Sequence, residues 1–422
     1  MDAKQIGSME SAVKELAQKF HKCFREPTFR HFVTYLLGLL DDMPRKNIEA
    51  IALASGVAVR TLQEFLSQFR WDDDRVHELY QHLIADEHGR EDAIGIIDAS
   101  GHPKQGAKTP GVQRQYCGET GKIDNCVLGI HLLYTDNDPT NPFSCMLDSE
   151  LYLPKSWEND MSRRREAGIP DDKHHQPEWE IAIDLLMEAL ANGIRFSWIT
   201  FDETYGKVPA FWFGLDMFGL RAVGEVPRNF YCWPTPPIYR SLQGPFASKR
   251  VDNVVRCSSV FRNQSWEKMK IKDTTRGTQV WYIKSARVQL VGQDSTGRSC
   301  PTDRRYWLIV ARHAKSGELK YFVSNASAKT KVLDILQAAF ARWRVEKWFE
   351  RAKQLAGLGS FEVRKYVGLT RHWLCSRIAM YFLSCQTWRL RGEKSSDHIR
   401  TGGPGGDDIA AENRELLAKD VA

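Results

Sequence analysis

Two aspartates follow short apolar runs, at positions where a carboxylate can bind a metal ion. Asp98 ends the run in AIGIIDAS and Asp202 ends the run in IRFSWITFDETYG, and both runs predict buried strands. A carboxylate at the end of a strand is held by a rigid sheet and can coordinate a hard divalent cation. For either residue alone, a turn or a helix cap is the alternative. With two such residues, the metal-binding and capping interpretations both stay open.

Glu346 is the third candidate ligand, on the strongest helical pattern of the chain, residues 331–356. Arg342, Glu346 and Lys353 fall on one stripe of that helix. Such a stripe can also be a solvated face, with ion pairs worth about 0.2 to 0.5 kcal/mol each. Aromatic residues on the same helix predict packing on more than one side, against the sheet and against DNA. Glu350, one turn later, is the alternative to Glu346.

The composition allows a DNA-binding protein without requiring one. The 422 residues include 59 Lys+Arg and 53 Asp+Glu, a net charge of +6, and a hydrophobic fraction of 42% that argues against a largely disordered chain. The nine cysteines never occur as CxxC, which favours a reducing compartment over disulfides or a zinc site. The sequence predicts neither a membrane helix nor a secretory signal, so we expect a cytoplasmic protein with no membrane partner.

Residues 1–90 have apolar residues at helical spacing and predict a helical domain. Within it, residues 44–70 have the layout of a helix-turn-helix unit, with Gly56 at the turn. In that interpretation Arg60 and Gln63 are exposed on the second helix and contact DNA. An ordinary helical hairpin in a structural bundle explains the pattern equally well.

The rest of the chain divides into a core, an insertion and a tail. Strand and helix patterns alternate over residues 91–228 and 321–391, which predicts an α/β or α+β core in two parts. Residues 229–320 between them are rich in Arg and Lys and predict a β-rich insertion, with a short ambiguous helix around 262–270. Residues 392–422 are polar, contain GGPGG and predict a flexible tail.

The three acids and the helix around the last of them resemble a known enzyme family. The order Asp98, Asp202, Glu346 and the string RWRVEKWFERAK are similar to DDE transposases of bacterial insertion sequences. The resemblance extends from about residue 94 to 390. Its clearest stretches are IIDASGHPKQG, RQYCGETGKIDNCVLGIHLLY and ITFDETYGKVPAFW. It implies an α/β fold with an RNase H-like catalytic core, a mixed sheet flanked by helices, with a β-rich insertion between the second Asp and the Glu.

Within that family, the chain is most similar to the group with a Tyr-Arg-Glu-Lys signature, Y-x2-R-x3-E-x6-K. Arg342, Glu346 and Lys353 match the last three members at the correct spacing, whereas Ala339 occupies the Tyr position. This departure removes the DNA contact that the family's Tyr would make. The motif spacing also favours Glu346 over Glu350.

The resemblance implies phosphodiester chemistry with two Mg²⁺ ions, for which Mn²⁺ can substitute. Mg²⁺ prefers oxygen ligands and keeps several waters, so three carboxylates and a DNA phosphate suffice. We predict that Asp98 bridges the two ions and that Asp202 and Glu346 each hold one. Glu203 is expected to point to the opposite face if the strand continues there, with a structural role.

The same resemblance predicts which side chains contact DNA. Arg342 and Lys353 would bind phosphates near the cleaved bond. Trp343 lies beside the signature and is either a platform for a base or a core residue. Lys270 and Lys272 belong to a basic tract that either follows the DNA backbone or is a solvated β-surface.

The predicted function is therefore that of a cut-and-paste transposase. It would bind the terminal inverted repeats of an insertion sequence through residues 1–90, cut the ends and join the 3′ hydroxyls to target DNA. Its partners would be double-stranded DNA, from the element's ends and the target, and a second copy of the chain in a homodimer on the bacterial nucleoid. The alternatives are a domesticated, catalytically silent DNA-binding protein and an RNase H-like nuclease without strand transfer.

Overall fold

The computed structural model of the chain describes residues 3–138, 141–235, 248–274 and 277–400. Within these ranges, side chains are not described for residues 3–8, 272–274, 277–278 and 392–400. The side chain of Lys272, a predicted DNA contact, and the part of the predicted tail after residue 400 therefore lie outside the described residues.

Twelve strands of the described ranges form one continuous mixed sheet. They are β1 Ile94–Pro103, β2 Gln113–Cys117, β3 Lys122–Thr135, β4 Ser144–Leu151, β5 Trp198–Phe201, β6 Ala222–Val226, β7 Tyr231–Trp233, β8 Lys249–Arg250, β9 Glu267–Thr274, β10 Gly277–Gln293, β11 Ser299–His313 and β12 Leu319–Ser324. The order across the sheet is β2-β3-β1-β5-β6-β12-β11-β10-β7-β8, with β4 beside β3 and β9 beside β10.

The five strands around β1 form the predicted mixed core. β4, β3 and β1 pair antiparallel, whereas β1, β5 and β6 pair parallel. Ile94, Ile96 and Ile97 of β1 are all buried, as expected for a central strand covered on both faces. The α/β class with a mixed sheet flanked by helices is confirmed, and the arrangement is consistent with an RNase H-like fold.

Fifteen α-helices accompany the sheet in the described ranges. They are α1 Ala3–Gln18, α2 Glu26–Leu40, α3 Ile48–Ser55, α4 Val59–Ser67, α5 Asp73–His88, α6 Lys155–Glu158, α7 Met161–Ala167, α8 Glu178–Ala191, α9 Glu203–Gly206, α10 Pro209–Met217, α11 Val251–Cys257, α12 Ser259–Arg262, α13 Val332–Ala341, α14 Trp343–Leu355 and α15 Tyr366–Arg400. A search of the same residues finds no helix with the length and apolar character needed to cross a membrane.

The pair α3 and α4 has the helix–turn–helix layout predicted from the sequence. The side chain of Asn47 accepts a hydrogen bond from the Ala50 amide and caps α3. Gly56 ends α3 with a φ of 70°, a left-handed conformation that glycine adopts without steric cost. The buried face of α4 leaves Arg60 and Gln63 exposed, as predicted. Whether this face binds DNA stays a prediction.

Helix α15 packs against the N-terminal helices and joins them to the core. The Tyr35 hydroxyl on α2 and Nδ1 of His372 on α15 form a buried hydrogen bond of 2.8 Å. Arg371 donates to the backbone carbonyls of Phe69 and Trp71, just beyond the end of α4. The described part of α15 continues to Arg400, past the predicted start of the tail at residue 392, because polar residues without proline can extend a helix.

The β-rich insertion continues the core sheet. β12 pairs antiparallel with core strand β6, with Phe322 opposite Glu225, and β11, β10 and β9 follow in order. The segment also contains α11 and α12, which the sequence pattern did not predict. The ambiguous helix around 262–270 is instead the last residue of α12, a turn over 263–266 and the first four residues of β9, whose Lys270 is opposite Val280. Helices α11 and α12 span only seven and four residues, too few for a helical period to be recognised in the sequence.

Candidate active site

Asp98 and Asp202 lie side by side at the carboxyl end of the parallel pairing between β1 and β5. The last paired residues of β1 and β5 are Ile97 and Phe201, and the two aspartates follow them directly. Asp202 is the first residue after β5, as predicted. Asp98 does not end its strand, because β1 keeps pairing with β3 as far as Pro103. It is nevertheless the first residue of β1 beyond the pairing with β5.

Asp202 also caps the short helix α9. One carboxylate oxygen accepts a hydrogen bond of 2.9 Å from the Thr204 amide, and the other accepts one of 3.1 Å from the Thr204 hydroxyl. The capping alternative is therefore realised, and these hydrogen bonds fix the orientation of the carboxylate. The strand ends before Glu203, which begins α9, so the expectation based on a continuing strand does not apply to it.

Arg342 links the first aspartate to Glu346. The pattern at 331–356 predicted one helix, but it is divided into α13 and α14 at Arg342. From this junction the guanidinium donates to Asp98 at 3.1 Å and to Glu346 at 3.2 Å. Asp98, which is 244 residues before Arg342 in sequence, is thus linked to Glu346 through one arginine. Glu346 is half exposed and lies at the edge of the group.

The electrostatics of the group favour a bound cation. Burial and the neighbouring Asp202 raise the pKa of Asp98 to about 7, and Glu346 adds to the increase. Arg342 and the Ala99 amide act in the opposite direction but do not cancel it. Because the carboxylates repel one another, a cation among them would be favoured. Three carboxylates are the oxygen donors that Mg²⁺ prefers, so the residues fit such an ion.

Lys353 lies two turns beyond Glu346 and is held over β1. Its ammonium donates to the Gly101 carbonyl at 3.2 Å and to the carboxylate of Glu119. Glu119 occupies the turn between β2 and β3. The lysine predicted to contact a phosphate therefore lies beside the strand of Asp98, with a carboxylate on its ammonium.

A cleft of about 360 Å³ opens beside Arg342 and Glu346. Its wall includes Trp281 and Trp343, from the insertion and from α14 respectively. Trp343 is 48% exposed, whereas Trp348 is buried, so only the latter is a core residue. The predicted role of Trp343 in contacting DNA is thus sterically possible and stays a prediction.

The other predicted DNA contacts, Arg60, Gln63 and Lys270, lie on elements away from the acids. Arg60 and Gln63 are on α4, where Arg60 pairs with Glu64 at 2.8 Å. Lys270 is exposed on β9. The structure thus places Asp98 beside Asp202 and links Asp98 to Glu346 through Arg342. Lys353 lies near them, against the part of β1 that follows Asp98.

Two features of the site were not predicted. Glu119 lies in the stretch CGETG, whose glycines indicate a turn, but nothing in its spacing points to Lys353. Thr204 follows Asp202 by two residues, the offset typical of a side chain that caps its own backbone. The sequence therefore contained a signal for the contact between Asp202 and Thr204, but none for the contact between Glu119 and Lys353.

A second cluster gathers potential metal ligands away from the aspartates. His77, Asp148 and Glu188 offer three ligand atoms within 4.8 Å of one another, the one such group found in the described ranges. Arg377 donates to Asp148 at 2.6 Å, and the Gln81 amide lies 3.1 Å from the His77 ring. Because Arg377 supplies positive charge and the raised pKa of His77, about 9, favours a protonated ring that cannot bind a metal, the cluster is better described as an ion-pair network than as a metal site.

Comparison with known proteins agrees with this geometry. A family model described as DDE superfamily endonuclease matches residues 19–278. A relative in Microchaete diplosiphon, described as a probable transposase for insertion sequence element IS701, is 29% identical over 222 residues, which are 52% of this chain and 54% of the relative. The chain thus spans about half the length of that relative. Glu346 and Lys353 lie beyond the range of the family match, so their assignment rests on sequence spacing and on the contacts described above.

Proposed function

The chain belongs to the DDE superfamily endonucleases, and from this premise we propose that it is a DNA transposase of an insertion sequence. It would cut DNA at the ends of the element and join the 3′ ends to a target. The observation that carries the proposal is that Asp98 lies beside Asp202 at the ends of the paired segments of β1 and β5, while Arg342 donates to both Asp98 and Glu346. Carboxylates in this arrangement are the kind of ligands that two-metal phosphodiester chemistry uses.

The three acids would hold two Mg²⁺ ions, or Mn²⁺ in their place. Bound there, the ions would activate the attacking oxygen and stabilise the leaving 3′ oxygen of the DNA. Asp98 is less exposed than Glu346 and interacts electrostatically with both other acids, so it is the proposed shared ligand. The two hydrogen bonds from Thr204 hold Asp202 in a fixed orientation, which limits the rearrangement needed on binding.

Arg342 and Lys353 would bind the DNA phosphates that flank the cut bond. The planar guanidinium of Arg342 can donate to two phosphate oxygens at once. Lys353 offers a compact charge that stays near the strand of Asp98 through the Gly101 carbonyl. The exposed Trp343, at the adjacent cleft, would contact the DNA beside them.

Recognition of the element's ends would belong to the N-terminal helices. Arg60 and Gln63 project from the exposed face of α4 and could reach base edges in a major groove. Lys270 would contact a DNA phosphate from the insertion, on the face of the sheet that it shares with Lys268. Two ends must be handled together, so we propose a homodimer on double-stranded DNA.

Single substitutions test the proposed ligands. D98N, D202N and E346Q should each lower Mg²⁺-dependent cleavage of a labelled element end by roughly 10³-fold or more, because metal ligands act as a unit. E350Q is the matched control, since Glu350 is exposed one turn further along α14. Normal cleavage by E346Q together with loss in E350Q would move the third ligand to Glu350.

Strand transfer needs a separate assay. A duplex already cut to expose the 3′ hydroxyl is supplied with a plasmid target, and joined product is measured. Cleavage without joining would favour a nuclease, and neither activity with retained end binding would favour a silent DNA-binding protein. The DNA flanking the reading frame should contain inverted repeats and a short target duplication if the element moves as proposed.

A further inference from the structure

We propose that a basic and aromatic surface on the insertion binds a second segment of duplex DNA, separate from the DNA in the cleft. The inference rests on the proposed function. The surface, called the back-face patch, consists of Trp266, Lys268, Tyr282, Lys284 and Arg312.

The strand register places the patch on the face of the sheet opposite to the cleft. Side chains alternate between the two faces of a strand, and directly paired residues share a face. Trp281 of β10 is paired with His313 of β11, and both line the cleft. Their neighbours Tyr282 and Arg312, paired with each other, therefore project from the other face.

A row of paired residues crosses four strands on that opposite face. Lys268 of β9 is paired with Tyr282, Tyr282 with Arg312, and Arg312 with Leu319 of β12. Lys268 is exposed, and Leu319 is 45% exposed, so no helix of the described ranges covers this end of the sheet. Further along the same face, α12 packs through Phe261 and covers the strands.

Two of the three cations of the patch, Arg312 and Lys284, lie against aromatic rings. The Arg312 guanidinium lies 4.5 Å from the centre of the Trp266 ring and 5.4 Å from that of Tyr282. The Lys284 ammonium lies 5.1 Å from the Trp266 ring and also donates to the Phe261 carbonyl. Within the part of the chain that the structure describes, no carboxylate forms an ion pair with Arg312 or Lys268.

These contacts orient the cations of the patch so that they can bind an anionic partner. Stacking on a ring occupies the faces of the Arg312 guanidinium and leaves the edge with its N–H groups for acceptors. The strands hold the charges in fixed positions, so little side-chain freedom is lost on binding. A regularly spaced polyanion such as a DNA backbone fits this set of cations.

Because the back-face patch lies on the face of the sheet opposite to the cleft, its position indicates which DNA it binds. A duplex in the cleft approaches the face of Trp281, and the sheet separates it from Arg312. Joining an element to a target requires more than one duplex on the protein. The patch therefore fits the duplex that is not being cut in the cleft.

A two-duplex binding assay tests this inference. The full chain is first saturated with a short unlabelled end duplex in Ca²⁺, and a labelled second duplex is titrated by fluorescence anisotropy at several salt concentrations. K268Q/R312Q should weaken binding of the second duplex about tenfold or more and lower its salt slope by about 2, since each lost phosphate contact removes about 0.9. Cleavage of the short end duplex in Mg²⁺ should stay as in the wild type, which also reports correct folding.

The matched control changes the same net charge elsewhere. K155Q/R165Q alters two exposed cations on α6 and α7 and should leave the second duplex bound as in the wild type. If R312Q disturbs folding, K268Q alone still tests the patch. For this single variant the salt dependence of second-duplex binding should have a slope lower by about 1. Equal binding by the patch variant and the control would overturn the inference while leaving cleavage, and thus the proposed function, intact. Absence of any duplex binding by the wild type would refute both together.

Discussion

The ion-pair network around His77 makes a quantitative prediction about stability. His77 on α5 lies 3.3 Å from a carboxylate oxygen of Asp148 on β4 and 3.1 Å from one of Glu188 on α8. Arg377 of α15 and the Gln81 amide complete the surroundings. The imidazole of His77 thus links helix α5 to carboxylates on β4 and α8. The prediction concerns how much the positive charge of this ring stabilises the folded protein.

The sign and size of the effect follow from the pKa of His77. Burial alone would lower that pKa, but Asp148 and Glu188 outweigh it and raise the pKa from 6.5 to about 9. A group whose pKa is raised on folding stabilises the protein below its unfolded value. The stabilisation is fully present below pH 6.5 and is lost as the pH rises through about 9. The difference corresponds to roughly 3 kcal/mol at 1.36 kcal/mol per pH unit.

Urea unfolding of the wild type and of H77Q between pH 6 and pH 10 measures this contribution. The wild type should exceed H77Q in free energy of unfolding by roughly 3 kcal/mol more at pH 6 than at pH 10. H82Q, at an exposed histidine of the same helix, is the control and should show little change. A gap between wild type and H77Q that is the same at both pH values would refute a charged His77 in the folded protein.

Three further substitutions test contacts around the site and the core. E119Q should tighten DNA binding at most about fivefold by removing the carboxylate that competes for Lys353, and an equal gain in a K353M background would contradict that cause. G206A should lower the free energy of unfolding in urea by about 1 to 3 kcal/mol, because its Cβ would lie 2.0 Å from the carbonyl oxygen of Glu225; unchanged stability would show that α9 moves freely. K46M should cost about 1 to 3 kcal/mol in the same assay, since the buried ammonium donates to three backbone carbonyls, and a neutral effect would mean that water replaces it.

The acids of the site could be predicted because local patterns place them. Apolar runs before Asp98 and Asp202 predict strands that end at those residues, which is correct for β5 and wrong for β1, and a fixed spacing identifies Glu346. The parallel pairing that brings the first two together joins Ile97 to Phe201, which are far apart in sequence, and only the family resemblance implied it. Local sequence thus identified the individual acids, whereas their assembly followed from the resemblance.

Contacts between distant segments could not be predicted in this way. Nothing near Glu119 or His77 specifies Lys353 or Asp148, because the choice of partner depends on how whole elements pack. The break at Arg342 likewise interrupts a pattern that favours one helix, and tertiary contacts override such local preferences. The continuity of the insertion with the core sheet depends on pairing between β6 and β12, which are far apart in sequence.

The hydrogen bond between Tyr35 and His372 has a consequence for biosynthesis. The two residues are 337 positions apart, so at about 5 to 20 residues per second a ribosome needs roughly 17 to 67 seconds to pass from one to the other. Throughout that interval the surface of α2 that contacts α15 lacks this partner and stays accessible to chaperones and proteases. Docking of the N-terminal helices against α15 is therefore expected to be a late step of folding.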